Sequence, residues 1–323
     1  MPDRDLAALH AYADWRTRRT RALLPWLRLK ALTRGPQGRQ RLSAGLGHVT
    51  PGCMCPRSCR HLVLYCHNIG EARTALPLVV GLRKRDPMLR YVVWAKSVAA
   101  FEAAPGILPE PCAVLYAPLD GTQAVRRALE RCRALALVIL EGDLRPTMDW
   151  GAREAGIPTA FVSAGLSPVE MARHRGHREG QKQMLEALDL LALKSEADAQ
   201  RAIELGVDRG HAWVSGNCRF DVGRLDLTPP RGPLVEFIEG ARLIGRVVMV
   251  AGSTYGREER CLAEVRSAPR LAGSLLLVVA PRKPGRADEV LATFRRAGAR
   301  VARRTELGTG SGPLDLPADV LVL

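Results

Sequence analysis

From His61 onward the chain alternates short apolar runs with amphipathic helix patterns. The runs fall at 61–66, 91–95, 112–117, 135–140, 158–163 and 189–194, with helix patterns near 71–84, 121–133, 148–155, 179–188 and 196–205. Runs this short and this uniformly apolar read as strands buried on both faces. Parallel neighbours need a crossover of about a dozen residues, and the intervening helix patterns supply it. A last short strand at 212–215 leads to Gly216. The class is therefore α/β, a parallel sheet covered by helices on both sides.

A second set of elements follows a break. Residues 223–235 contain Thr228-Pro229-Pro230-Arg231-Gly232-Pro233, a hinge or linker composition. Strands then read at Val247–Ala251, 274–280, Val301–Arg304 and Val320–Leu323, with helices at 257–266 and 286–297. A length of 323 residues suits two such domains. The expected division is a basic segment and linker at 1–60, a Rossmann-like domain at 61–222 and a second, shorter one at 236–323.

The formal charge of +15 is unevenly spread. Residues 1–60 hold twelve Lys and Arg against three acids, and no acid lies between Asp14 and Glu71. Such a block seeks an anionic partner: phospholipid head groups, lipopolysaccharide phosphates or nucleic acid. Residues up to about 30 read as a helix in which Leu6, Leu9, Tyr12 and Trp15 precede Arg16, Arg18, Arg19 and Arg21, with Leu23, Leu24, Trp26 and Leu27 after them. This mix fits an interfacial helix. A helix packed on the domain with a solvated basic face is the other reading. Residues 31–60 read as loop. The chain shows no spanning segment and no signal peptide, which points to a cytoplasmic protein docked on a membrane surface. Aromatic residues make up only 5%, and no nucleic-acid module is recognisable, so nucleic acid is not the expected partner.

The candidate chemistry gathers at strand ends. His67-Asn68-Ile69-Gly70-Glu71 carries a strand into a helix and leaves Glu71 where open α/β sheets bind ligands. Glu71 is a candidate general base; a solvated charge in a first helical turn is the alternative. Glu141 and Asp143 end a second strand, as acceptor-side acids or as loop and cap residues. Gly252-Ser253-Thr254 precedes a helix and suits a phosphate or a plain N-cap. Arg282 and Lys283 end another strand, placed to hold a phosphate or carboxylate, or simply solvated. There is no GxGxxG and no Walker A motif, which disfavours nicotinamide dinucleotides and P-loop chemistry. Cys53, Cys55, Cys59 and Cys66 with His67 match no common zinc spacing and read as reduced thiols, so no metal is expected.

Taken in order, these segments resemble the 3-deoxy-D-manno-octulosonic acid (Kdo) transferases of lipopolysaccharide synthesis. The resemblance runs from the basic stretch before Arg41 through His67–Glu71 with Arg73, Ala75, Leu76 and Pro77, then Glu141-Gly142-Asp143-Leu144-Arg145-Pro146 and Ser163-Ala164-Gly165-Leu166-Ser167. It continues through Lys194–Asp198, Gly216-Asn217-Cys218-Arg219-Phe220-Asp221, Gly252–Thr254 and Pro281-Arg282-Lys283-Pro284. It implies a GT-B glycosyltransferase of two Rossmann-like domains, the second incomplete here because the family carries a further Gly-rich loop and helix. It implies inverting transfer of Kdo from CMP-Kdo to a lipid A precursor at the cytoplasmic face of the bacterial inner membrane, with no cofactor. Glu71 would be the base, with Glu141 and Asp143 on the acceptor side. Ser253, Thr254, Arg282, Lys283, Asn217 and Arg219 would serve the donor. Arg145 stands where the family usually has Trp, and Ser163 and Gly165 where it has Asn and Arg. These departures keep a GT-B enzyme with another nucleotide sugar as an alternative. A non-enzymatic basic protein binding lipid or nucleic acid is a second.

Overall fold

The computed structural model describes residues 6–48, 59–111, 113–142, 144–173, 175–224, 231–271, 273–308 and 317–323. Two compact units divide at Asp226/Leu227.

In unit 1 the elements are α1 (Ala7–Thr33), α2 (Gly35–Gly45), β1 (His61–Cys66), α3 (Ile69–Arg85), β2 (Tyr91–Ala95), α4 (Val98–Ile107), β3 (Ala113–Tyr116), α5 (Thr122–Cys132) and β4 (Ala134–Leu140). They continue with α6 (Pro146–Glu154), β5 (Thr159–Ala164), α7 (Pro168–Arg173), α8 (Arg178–Glu186), β6 (Leu190–Leu193), α9 (Glu196–Leu205) and β7 (Trp213–Val214). All seven strands are parallel, in the order β3-β2-β1-β4-β5-β6-β7. Strand alternation splits the core into two layers. Val63, Tyr65, Trp94, Leu137, Ile139 and Phe161 face one side, with residues of α1, α5, α6, α8 and α9. Leu62, Leu64, Cys66, Val93, Val138 and Leu140 face the other, with residues of α3 and α4.

The strand order reverses direction between β1 and β4. The chain leaves β1 toward β2 and β3, then returns to place β4 on the other side of β1. Such a switch point opens a crevice at the carboxyl ends of the two strands, because their crossovers diverge. Glu71 follows β1 and Glu141 follows β4, so the topology alone sets both at this crevice.

The N-terminal segment departs from expectation. The helix runs unbroken through Pro25 to Thr33, and part of the expected loop at 31–60 is helical as α2. The first half of α1 belongs to the domain. Leu6 and Leu9 join the core, and the Leu9 N–H donates to Gln183 Oε1 at 2.8 Å. Tyr12 stacks on His177 and His10 on Trp150, with centroids 4.2 and 4.6 Å apart. Arg16 Nε donates to Asp120 Oδ2 at 2.6 Å, and the Thr147 hydroxyl donates to the other Asp120 oxygen. At Gly180, α8 comes so close that a Cβ would press on the Ala8 carbonyl and Tyr12. The second half of α1 exposes Leu23, Trp26, Leu29 and Leu32.

Unit 2 holds α10 (Pro233–Leu243), β8 (Val247–Thr254), α11 (Gly256–Arg266), β9 (Leu275–Pro281), α12 (Ala287–Arg296), β10 (Val301–Arg303) and β11 (Val320–Val322). Its parallel sheet has the order β10-β11-β9-β8. α11 and α12 cover one face, with Ala263, Val290, Leu291 and Phe294 on Leu277, Val279, Val320 and Val322. The other face takes Phe237 and Ala241 of α10, which pack on Leu276, Val278 and Leu321. That helix begins inside the expected linker; Thr228-Pro229-Pro230 lies outside the described residues.

Candidate functional site

Glu71 enters the crevice through a capped helix start. Asn68 is the N-cap of α3; its Oδ1 accepts the Glu71 N–H at 3.2 Å. The Glu71 carboxylate turns back. Its Oε1 accepts the Asn68 amide at 3.1 Å and its Oε2 accepts the His67 N–H. These two bonds fold the carboxylate back over the helix start and hold it at the positive end of α3. Glu71 is only 4% exposed, so the solvated-charge reading does not hold. Each carboxylate oxygen has two acceptor directions, so an oxygen already bonded can still take a hydroxyl.

Across the switch point, Glu141 adopts a left-handed backbone with φ 59°. Its Oε1 accepts the Thr74 hydroxyl and its Oε2 accepts Arg219 Nη2 at 2.7 Å. The Arg219 Nε also lies 3.5 Å from Thr74 Oγ1. Thr74 sits one turn beyond Gly70 on α3 and bonds its carbonyl at 3.1 Å, so α3 carries both Glu71 and the residue that grips Glu141. Cys66, at the end of β1, registers both acids. Burial chiefly, and then the negative charges of Glu71 and Glu141, push its thiol well above its ordinary range. Cys66 is thus a protonated core thiol.

Arg219, a donor-side candidate from the sequence, bonds Glu141, and Asn217 Oδ1 accepts the Arg219 N–H at 2.9 Å. Asp143 lies outside the described residues. Ser163, in a bulge of β5 at φ 52°, is fully buried and accepts the Cys218 N–H at 3.0 Å. It thereby ties the Cys218–Arg224 turn to the sheet edge. Gly165 leaves room for the Lys194 ammonium, which a Cβ there would meet. Arg145 is buried, its guanidinium 5.1 Å from the Tyr65 ring centroid.

In unit 2 the donor candidates separate into structural and exposed residues. Thr254 is buried and donates to Glu259 Oε1 at 3.0 Å. Glu259 also takes two bonds from Arg286, at 2.8 and 3.2 Å. Ser253 stands exposed in a bulge of β8 with φ 60°. Arg282 and Lys283 are exposed at the end of the neighbouring strand, the Arg282 N–H donating to the Thr254 carbonyl at 3.0 Å. The Tyr255 N–H at the start of α11 is already taken by Glu258 Oε2 at 2.8 Å. An anion at this loop would therefore be met by Ser253, Arg282 and Lys283 more than by the helix start. Three of the non-glycine residues in the left-handed region, Glu141, Ser163 and Ser253, fall at strand ends that carry candidate residues.

A family model described as 3-deoxy-D-manno-octulosonic-acid transferase (kdotransferase) matches residues 39–222, more than half of the chain. The chain belongs to the Kdo transferase family. Among curated relatives, the 3-deoxy-D-manno-octulosonic acid transferase of Bordetella pertussis is 29% identical over 262 residues, covering 79% of this chain and 59% of that protein. The Haemophilus influenzae enzyme of the same name is 23% identical over 277 residues, covering 84% of this chain and 63% of that protein. The chain thus spans about three fifths of the length of these relatives. Among solved structures, a Staphylococcus aureus MnaA–UDP structure aligns with a TM-score of 0.55 at 15% identity, covering 73% of this chain and 66% of that one. A putative UDP-N-acetylglucosamine 2-epimerase from Listeria monocytogenes aligns at 0.53 with 12% identity, covering 74% and 66%. These likenesses establish the fold, the GT-B type built from two Rossmann-like units.

Among the described residues no cluster of three metal-ligating side chains occurs, and no helix is long and apolar enough to cross a membrane. Cys53 and Cys55 lie outside the described residues.

Proposed function

We propose that this chain carries the acceptor-side machinery, and part of the donor side, of an inverting glycosyltransferase that moves Kdo from CMP-Kdo to a hydroxyl of a lipid A precursor. The observation that carries this reading is the buried, doubly held carboxylate of Glu71 at the switch-point crevice, in a member of the Kdo transferase family.

In this reading Glu71 removes the acceptor proton as the hydroxyl attacks the anomeric carbon and CMP departs. Proton transfer to a positioned carboxylate needs hydrogen-bond reach and a fixed orientation, and the His67 and Asn68 donors supply the orientation. Glu141, locked by Thr74 and Arg219, shapes the acceptor side of the crevice. Ser253, Arg282 and Lys283 meet the charge of the CMP phosphate and the Kdo carboxylate. Both roles use side chains, and the reading assigns no cofactor.

We place the protein at an anionic membrane surface, on the cytoplasmic face of the bacterial inner membrane. Support comes from the exposed Leu23, Trp26, Leu29 and Leu32 of α1 among Arg21, Arg28 and Lys30. The test is direct. The chain is incubated with CMP-Kdo and an acylated glucosamine disaccharide acceptor, and CMP release and the Kdo-extended acceptor are followed by chromatography and mass spectrometry. Transfer from CMP-Kdo, abolished in Glu71→Gln, is the expected result. Turnover of another nucleotide sugar in place of CMP-Kdo would refute the donor assignment.

A further inference from the structure

In unit 2, Thr254, Glu259, Arg286 and Glu289 form one network beside the loops that carry Ser253, Arg282 and Lys283. Glu259 lies in the first turn of α11 and is only 1% exposed. A carboxylate buried to that degree needs charge-assisted partners on its oxygens. Its Oε1 accepts the Thr254 hydroxyl at 3.0 Å and Arg286 Nη1 at 3.2 Å, and its Oε2 accepts Arg286 Nη2 at 2.8 Å. The guanidinium therefore grips the carboxylate as a fork, which fixes its plane as well as its position. Arg286 also meets Glu289 of α12, its Nε donating at 2.9 Å and its Nη2 at 2.8 Å. The start of α11 lies close to this pair: a Cβ on Gly256 would stand 3.4 Å from Arg286 Nη2.

The network joins two loops that are distant in sequence. Thr254 ends β8 and directly follows Ser253. Arg286 closes the short turn Pro284–Arg286, which directly follows Arg282 and Lys283. One carboxylate thus ties down both loops, the first through a hydroxyl and the second through a guanidinium. The loops also meet directly, where the Arg282 N–H donates to the Thr254 carbonyl at 3.0 Å. Ser253 shows what the anchoring does. It has φ 60° in a bulge that shifts the β8–β9 register between Gly252 and Thr254. A serine in the left-handed region keeps that backbone only when its neighbours impose it. Its neighbour Thr254 is held at both hydroxyl and carbonyl. Without Arg286 the buried carboxylate is short of partners and turns toward water, and Thr254 loses its acceptor.

We propose that Glu259 and Arg286 are positioning residues for anion binding at this pair of loops. Their ion pair holds Thr254, and through Thr254 it sets Ser253 and Arg282 where they meet the phosphate of the sugar nucleotide. Neither Glu259 nor Arg286 touches the ligand. The ligand half of the proposal rests on the transferase reading; the anchoring of the two loops does not.

The test reads the loops first and the ligand second, on the full chain. Amide hydrogen exchange is followed residue by residue by NMR. In Glu259→Gln and in Arg286→Gln the Arg282 amide should exchange at least about tenfold faster, while Leu277 and Val278 in the core of β9 stay within about twofold. Arg286→Lys keeps the charge without the fork and should show a smaller rise, about threefold. It carries the test if the two Gln variants unfold unit 2. Glu289→Gln removes only the exposed partner of Arg286 and should leave Arg282 unchanged. CMP affinity is then measured by calorimetry, and it should fall about tenfold in the Gln variants and about threefold in Arg286→Lys. Unchanged Arg282 exchange in the folded variants overturns the anchoring. Equal acceleration at Arg282 and Leu277 overturns it too, since that marks a general loosening of unit 2. Faster Arg282 exchange with CMP affinity unchanged overturns the positioning role. An unchanged protein that binds no CMP overturns the donor reading and the ligand half of the proposal, and the exchange rates still decide the anchoring.

Discussion

Asp149 on α6 should make unit 1 less stable as the pH rises, and Asp149→Asn should remove that dependence. The side chain is 2% exposed and packs against the start of β5. Thr159 Oγ1 donates to its Oδ1 at a long 3.4 Å, while Oδ2 has no partner among the described residues. Burial is the main cause that raises its pKa to about 7; the Thr159 hydrogen bond and the Arg153 charge oppose this, and the Asp189 charge adds to it. Below about pH 3 the group is protonated folded and unfolded, and costs nothing. Above about 4 the unfolded chain releases its proton while the folded chain keeps it until about 7, so stability falls through that window and is level beyond it. Each tenfold change in proton affinity is worth about 1.4 kcal/mol, which makes the full cost about 4 kcal/mol, of which about 3 accrues between roughly pH 5 and 8. The amide that replaces the carboxyl in Asp149→Asn does not titrate and can keep the Thr159 contact. All five Trp residues, 15, 26, 94, 150 and 213, lie in unit 1, so Trp fluorescence reports its unfolding alone. The melting temperature of Asp149→Asn should gain on that of the unchanged protein by on the order of 10 °C between roughly pH 5 and 8. A gap between the two proteins that stays constant across this range would refute the reasoning.

Glu71→Gln keeps the capping contacts in outline but cannot accept a proton; turnover should fall by about 100- to 10,000-fold while CMP-Kdo still binds, measured by initial rates beside calorimetry. Arg219→Met frees one oxygen of Glu141 and should raise the acceptor KM more than it lowers kcat, because Arg219 bonds Glu141 rather than the base. Asp120→Ala leaves Arg16 and Thr147 without their shared acceptor and should cost about 1–3 kcal/mol in urea unfolding of unit 1. Trp26→Ser with Leu29→Ser should weaken sedimentation with anionic vesicles and leave the melting curve unchanged. Deleting residues 1–41 would be a poorer test, since it removes Leu9 and Tyr12 from the core.

Most strands were legible because each is a short run of residues buried on both faces, and burial on both faces leaves no polar alternation to confuse the reading. Leu62 to Cys66 and Tyr91 to Ala95 are examples. α4 and α10 were not legible. α4, Val98–Ile107, is built mostly from small apolar residues and has no polar stripe to mark a helical period, and α10 begins at a Gly-Pro pair that reads as linker. The first half of α1 was ambiguous for a different reason. An amphipathic helix shows that it has an apolar face but not what covers it, and its partners Gln183, His177 and Asp120 lie far away in sequence.

The site was legible to the extent that it depends on position along the chain. A carboxylate at the junction of a strand and a helix is local information, so Glu71 and Glu141 could be named from the sequence. What each touches is not local. Thr74, Arg219 and Ser163 join the site because β4 lies beside β1 at the switch point and because β5 carries a bulge at Ser163. Neither the strand order nor the bulge leaves a mark on composition. Arg219 shows the consequence. In sequence it sits in a Gly-Asn-Cys-Arg turn at the far end of unit 1 and reads as a donor ligand; in the fold that turn lies against α3, and its charge goes to Glu141. Arg219 thus pairs with Glu141 while about half of its side chain stays exposed.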